Sequence, residues 1–184
     1  MQDAMVANAV EILSFWREAG YDRWFSKDSA FDEEIRRRFL ATYEAAAAGK
    51  LSGWELTADG ALALLILLDQ FPRNMFRGDA RAFSTDPLAR AIAAGAVVRG
   101  FDSQVAKELR SFFYLPFEHS EDLADQERSV AFNKAAGDAS GLKWAEIHAD
   151  IIRRFGRFPH RNAVLGRTTT PEEQAFLDSG GFAG

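Results

Sequence analysis

Five arginines stand within fifteen residues, Arg153, Arg154, Arg157, Arg161 and Arg167, with His160 among them and no acid between Asp150 and Glu172. A guanidinium is a planar fork that matches carboxylate or phosphate oxygens, so such a segment can build a pocket for a small anion. A purely structural use is equally open. Residues 111–127 hold Glu118, Glu121, Asp122, Asp125 and Glu127 with no Lys or Arg. The two segments could neutralise each other across a helix contact. A nucleic-acid or membrane surface is a third, weaker use of the basic segment, since the net charge of −5 lacks the basic footprint of a nucleic-acid binder.

Two polar residues fall on apolar helical faces. His148, Ile151, Ile152 and Phe155 share an i, i+3, i+4, i+7 face, which points His148 inward. Leu62, Leu65 and Asp69 share another, leaving Asp69 a carboxylate at the inner end of an apolar helix, where it needs a partner. The candidates are Arg73, His148 or an arginine of the basic segment. Held by arginine, Asp69 is structural; beside a histidine it would orient a proton-transfer group. The three histidines, His119, His148 and His160, have no ligand spacing, so no metal site is expected. With no cysteine there is no thiolate nucleophile, thiolate zinc site or disulfide. Glycine-rich phosphate loops and a Gly-x-Ser-x-Gly elbow are absent too, and no cofactor or reaction type is expected.

The elements that must position these groups read as helices. The chain of 184 residues contains 31 Ala and 16 Leu against 7 Val, 7 Ile and 6 Thr, and no alternating apolar pattern persists. Its length suits one domain spanning residues 1–184. About eight helices are predicted, in antiparallel hairpins joined by short links. The first covers residues 3–18, with Val6, Val10, Leu13 and Phe15 or Trp16 facing inward. A link at 21–27 precedes a second, capped by Asp28 or Ser29, with Phe31, Ile35, Phe39 and Tyr43 buried and a stop at Gly49. Thr57 caps a third that ends at Pro72, and its run Ala61–Leu68 marks it as central. Asp86-Pro87 starts a fourth, residues 102–114 a fifth, and Ser120 a sixth with Glu121 and Asp122 in its first turn. A seventh runs from Leu142 to Phe155, and Thr170-Pro171-Glu172-Glu173 opens a short last one closed by Gly180-Gly181. The start Met1-Gln2-Asp3-Ala4-Met5 shows no secretory signal, and the longest apolar run, eight residues, is far short of the roughly 20 of a membrane span. A cytoplasmic protein is expected.

One short self-similarity recurs: Leu68-Asp-Gln-Phe-Pro-Arg-Asn74 and Gly156-Arg-Phe-Pro-His-Arg-Asn162. Each follows an apolar helix, breaks at Phe-Pro and sets Arg-Asn in what reads as a loop.

Trp24-Phe25, Leu68 to Gly78, Phe113-Tyr-Leu-Pro-Phe-Glu-His-Ser-Glu-Asp122 and Phe155 to Arg167 together resemble the bacterial family termed domain of unknown function 924. The resemblance spans nearly the whole chain with the motifs in order. It implies an all-α, tetratricopeptide-like right-handed stack of helical hairpins, and no assigned activity. Its motif residues and the inward-facing His148 define the expected ligand site: Asp69, Arg73, Asn74, Arg77, His119, His148, Arg157, His160, Arg161, Asn162 and Arg167. Two functions fit these residues. One is binding of a small carboxylate or phosphate where the two Phe-Pro segments meet, with a His–Asp pair for any proton transfer. The other is a protein-interaction module without catalysis, whose groove would expose Trp24, Phe25 or Trp54.

Overall fold

The computed structural model describes residues 6–182 and is all-α, with no strand among the described residues. The chain forms two compact units. One runs from the N-terminal helices to Arg77 and resumes over Arg81–Pro116; the other comprises Gly78–Ala80 and the chain from Phe117 onward.

In the first unit, α1 (Ala9–Ala19) begins at Asn8, whose side chain and that of Glu11 cap each other's backbone. The expected start at residue 3 lies outside the described residues. Val6 precedes the helix and Val10 points outward, 72% exposed, because the buried face is Ile12, Leu13, Phe15 and Trp16. Val10 sits two positions before Ile12, about 200° around the helix. The predicted link at 21–27 contains a single helical turn, α2 (Tyr21–Trp24). It seats Trp24 on Trp16, where the indole N–H donates to the Trp16 carbonyl at 2.6 Å. Asp28 caps α3 (Ser29–Ala47), which buries Phe31, Ile35, Phe39 and Tyr43 as their spacing predicts.

Thr57 caps α4 (Ala58–Leu65), and every residue from Ala61 to Leu68 is buried, with α1 and α6 (Asp86–Val98) packed against α4. Pro72 does not end this helical path. A π-turn at Ile66–Gln70 widens the helix, the Phe71 N–H reaching back five residues to Ile66, and α5 (Phe71–Met75) carries the chain on. Pro72 falls in the first turn of α5, where a missing donor costs little. Arg73 and Asn74 are therefore helical rather than in a loop. The predicted helix at 102–114 is instead two 3-10 segments, Phe101–Ser103 and Lys107–Phe113. Asp102 holds them together, its carboxylate accepting from the Tyr114 hydroxyl at 2.7 Å and its carbonyl from Arg110 at 3.0 Å. A last short turn, α7 (Leu115–Glu118), carries the chain out of this unit.

In the second unit α8 (Leu123–Ala136) and α9 (Ala139–Phe155) fold back on each other through the left-handed Gly137. The cap of α8 is Asp122, not Ser120. Ser120 accepts from the Asp122 N–H and donates to Asp125, while Glu121 leaves the helix for another task. Asp138 caps α9 three residues earlier than predicted. Gly156 ends α9, a 3-10 turn forms Pro159–Arg161, and α10 (Pro171–Asp178) starts at the Thr170–Glu173 capping box.

Candidate functional site

In the first unit the polar residues after Leu68 each meet a carboxylate. Arg73 forks onto Asp86 at 2.9 and 3.0 Å and bonds the Asp69 carbonyl at 2.6 Å, with the Asp69 carboxylate 3.5 Å away. Burial by itself would pull the Arg73 pKa down, but the Asp69 and Asp86 charges outweigh it and hold the guanidinium firmly protonated. Gln70 donates to the other Asp69 oxygen at 2.6 Å. Asn74 donates to Asp32 at 2.7 Å, and Arg77 closes a fork on the same carboxylate at 2.8 and 3.0 Å.

The second unit repeats that arrangement. Asn162 donates to Glu173 at 3.0 Å while Arg157 forks onto it at 2.6 and 2.8 Å. The bonds from Arg157, together with the Thr170 N–H and Asn162, hold the Glu173 carboxyl down at about 2 despite its burial. Arg167 forks onto Glu121 at 2.7 and 3.0 Å, and the Phe158 N–H bonds the same carboxylate at 2.8 Å. Burial would raise the Glu121 pKa; the Arg167 fork and the Phe158 N–H more than reverse it. Arg167 also donates to the side-chain amide oxygen Oδ1 of Asn162 and to the Phe158 backbone carbonyl. In each unit, then, the Asn after Phe-Pro supports a carboxylate gripped by an arginine. Asp32, Asp86 and Glu173 lie too far along the chain from their partners for spacing to reveal the pairing.

A different chemistry gathers around the Phe158 ring. The rings of His148 and His160 each stand 5.6 Å from it, and the Arg161 guanidinium covers it at 4.5 Å. Arg161 is buried and donates to the His119 carbonyl at 3.1 Å. His148 faces inward as its helical spacing predicts, 6% exposed, and its Nδ1 lies 3.1 Å from Glu118 Oε1 and 2.8 Å from the Trp144 carbonyl. Both neighbours are acceptors, so in the neutral form of the ring the proton sits on Nδ1. The other Glu118 oxygen accepts from Ser129 at 3.4 Å, and Ser129 is bonded in turn by Asn133. The carboxylate at His148 Nδ1 is thus Glu118 and not the aspartate that a His–Asp pair would supply. A carboxylate–imidazole couple fixed this way can accept or deliver a proton at Nε2. The Phe182 ring covers His148 and His160 at 4.4 and 5.2 Å. Phe182 also lines an open pocket of about 370 Å³ with Lys143, Glu146, Ile147, Asp150, Ile151 and Phe176. Among the described residues no three His, Asp or Glu side chains are grouped to hold a metal ion.

Residues 12–181 match the model of a bacterial family described as protein of unknown function, DUF924. The chain belongs to this family. It is also similar to the solved structure of a protein of unknown function from Agrobacterium tumefaciens, with 51% identity, a TM-score of 0.90, and 93% of this chain and 97% of that one covered. No curated protein matches it. In this DUF924 chain, no described helix is long and apolar enough to cross a membrane. The Trp24-Phe25 motif is divided in use: Trp24 is buried on Trp16, while Phe25 is 55% exposed.

Proposed function

We propose that this DUF924 protein binds a small carboxylate- or phosphate-bearing molecule at the histidine–arginine cluster of its second unit. The observation that carries the reading is the convergence of His148, His160 and Arg161 on the Phe158 ring, with Glu118 fixing the His148 tautomer. Arg157 and Arg167 support the walls of this site by gripping Glu173 and Glu121, and Asn162 links the two pairs. His119 contributes its carbonyl to Arg161. Asp69, Arg73, Asn74 and Arg77 belong to the same proposal as the corresponding frame of the first unit. A cytoplasmic setting and a tetratricopeptide-like stacking of the hairpins fit this reading.

The test is a thermal-shift series with inorganic phosphate, acetate and citrate on the wild type, Arg161→Lys and His160→Asn. A ligand at a hundredfold excess over its Kd contributes about 2.7 kcal/mol, which raises the melting temperature of a chain this size by roughly 5 °C or more. The variants should lose most of that rise. An equal rise in all three proteins, or none with any anion, rejects the site.

A second reading, a protein-interaction module, draws on the first unit. There Tyr21 and Phe25 are 62% and 55% exposed, with ring centroids 5.3 Å apart. Aromatic pairs of this kind anchor partner surfaces. Pull-down of a defined partner lost in a Tyr21→Ser, Phe25→Ser double variant would favour it over the anion site.

A further inference from the structure

Phe182 follows two glycines that have separate structural reasons to be glycine. Gly180 holds φ +81°, a left-handed conformation that L side chains rarely adopt. Gly181 has no room for a side chain, since a Cβ there would come within 2.5 Å of the Phe176 carbonyl and 2.6 Å of its ring. The pair turns the backbone tightly across α10 and delivers the Phe182 ring to one place. That place is an aromatic box whose other walls are Trp144 at 6.4 Å, His148 at 4.4 Å and His160 at 5.2 Å. The ring is only half-buried, and Trp144, 44% exposed, forms the outer wall.

A flat ring is the shape this box takes. Edge-to-face contact with imidazole and indole rings is favourable for any aromatic group, not for Phe182 alone. The two imidazoles become N–H donors toward an anion when protonated, and Phe158, the ring they share, carries the Arg161 guanidinium. A group that combines a planar ring with a negative charge satisfies both halves of the surroundings. Phe182 satisfies only the first.

We propose that the box is the ring-binding part of the anion site, that its ligand is an aromatic carboxylate or aryl phosphate, and that Phe182 occupies the ring position until such a ligand displaces it. This rests on the anion-binding reading above. A binding-competent state that is only fractionally populated weakens apparent affinity by that fraction. Emptying the box therefore tightens binding of ring-bearing anions and leaves ring-free anions unaffected.

The experiment compares wild type, Phe182→Ala and Phe182→Tyr by calorimetric titration with benzoate, phenyl phosphate, acetate and inorganic phosphate. Benzoate and phenyl phosphate should bind Phe182→Ala about tenfold more tightly than wild type, corresponding to a box open in about a tenth of wild-type molecules. Acetate and inorganic phosphate should bind both equally. Phe182→Tyr, which refills the box, should return to wild-type affinity. On adding benzoate to Phe182→Ala, ring-current shifts should appear at the His148 and His160 ring protons. Equal or weaker benzoate binding in Phe182→Ala, with acetate and phosphate still bound, overturns the ring subsite alone. Absence of binding by all four probes overturns the anion site with it.

Discussion

Arg167 and Glu121 lie 46 positions apart in the chain and meet in a two-bonded fork, 2.7 and 3.0 Å, whose carboxylate also accepts the Phe158 N–H. One residue comes from the basic segment and one from the acidic segment, so part of the charge separation along the chain is closed within the second unit. Three other arginines of the basic segment are spent differently: Arg157 goes to Glu173, Arg154 lies over Phe155 and Phe176, and Arg161 covers Phe158.

Because both partners are partly buried, the fork should be energetically coupled. Glu121→Gln is expected to lower unfolding free energy by about 1–2 kcal/mol, and a cycle with Arg167→Met should show a coupling of similar size. Urea denaturation of the four proteins measures both. Additive single effects would mean that the fork is a surface contact of no consequence.

Glu173 is more deeply engaged, with Arg157, Asn162 and the Thr170 N–H on one carboxylate. Glu173→Gln should cost about 3 kcal/mol, the usual penalty for breaking a buried pair from one side. The pH dependence has a definite sign. The folded pKa, about 2, lies below the 4.5 of an ordinary glutamate, so the stabilisation is complete above that pH and disappears as pH falls toward 2. Acid titration of stability should therefore be steeper for wild type than for Glu173→Gln across that window. Parallel curves would contradict the assignment.

Gly60 sits in the first turn of α4, where a Cβ would come within 2.2 Å of the Trp54 carbonyl. That obstacle is backbone and cannot swing aside. Gly60→Ala should destabilise the protein by about 2 kcal/mol even though alanine favours helix. A neutral or stabilising result in thermal denaturation would show that the Ser52–Leu56 turn can move away.

For His148 the expectation concerns a proton's location. Long-range nitrogen–proton NMR spectra of the neutral ring should show Nδ1 protonated and Nε2 bare, as the two acceptors at Nδ1 require. The opposite tautomer would remove Glu118 from its orienting role.

Local rules carried the sequence reading where structure is set locally. Thr57 and Thr170 cap the helices predicted for them, and Phe31, Ile35, Phe39 and Tyr43 form a buried face at helical spacing. His148 points inward for the same reason. What escaped was set by contacts distant in sequence or by competition between neighbours. Ser120 and Asp122 are both good caps, and Asp122 takes the position while Ser120 bonds Asp125. Residues 101–113 have helix-compatible composition, but the bonds to Asp102 hold them in 3-10 turns. At the candidate site, the five arginines and His160 stand together in the sequence, and helical spacing turns His148 inward. The carboxylates Glu118, Asp32, Asp86 and Glu173 were not readable as partners, because a fork between remote residues leaves no period in the sequence. Phe182 gave no signal at all, since only the Gly180-Gly181 turn brings it to the histidines.

The π-turn at Ile66–Gln70 has a genetic reading. It is equivalent in geometry to one additional codon inside an α-helix, held at the point where the apolar run gives way to Asp69 and Gln70. Removing that codon would restore regular winding and leave everything after it facing nearly as before, because five residues of π-turn and four of α-helix both close about one rotation. Arg73 would keep Asp86 and Asn74 would keep Asp32, whereas a deletion in the regular α-helix before the bulge would swing both away by about 100°. A change within those five residues, even the loss of one, is a question of volume, whereas the same loss in the regular turns before them is a question of register that the helices downstream would have to answer together.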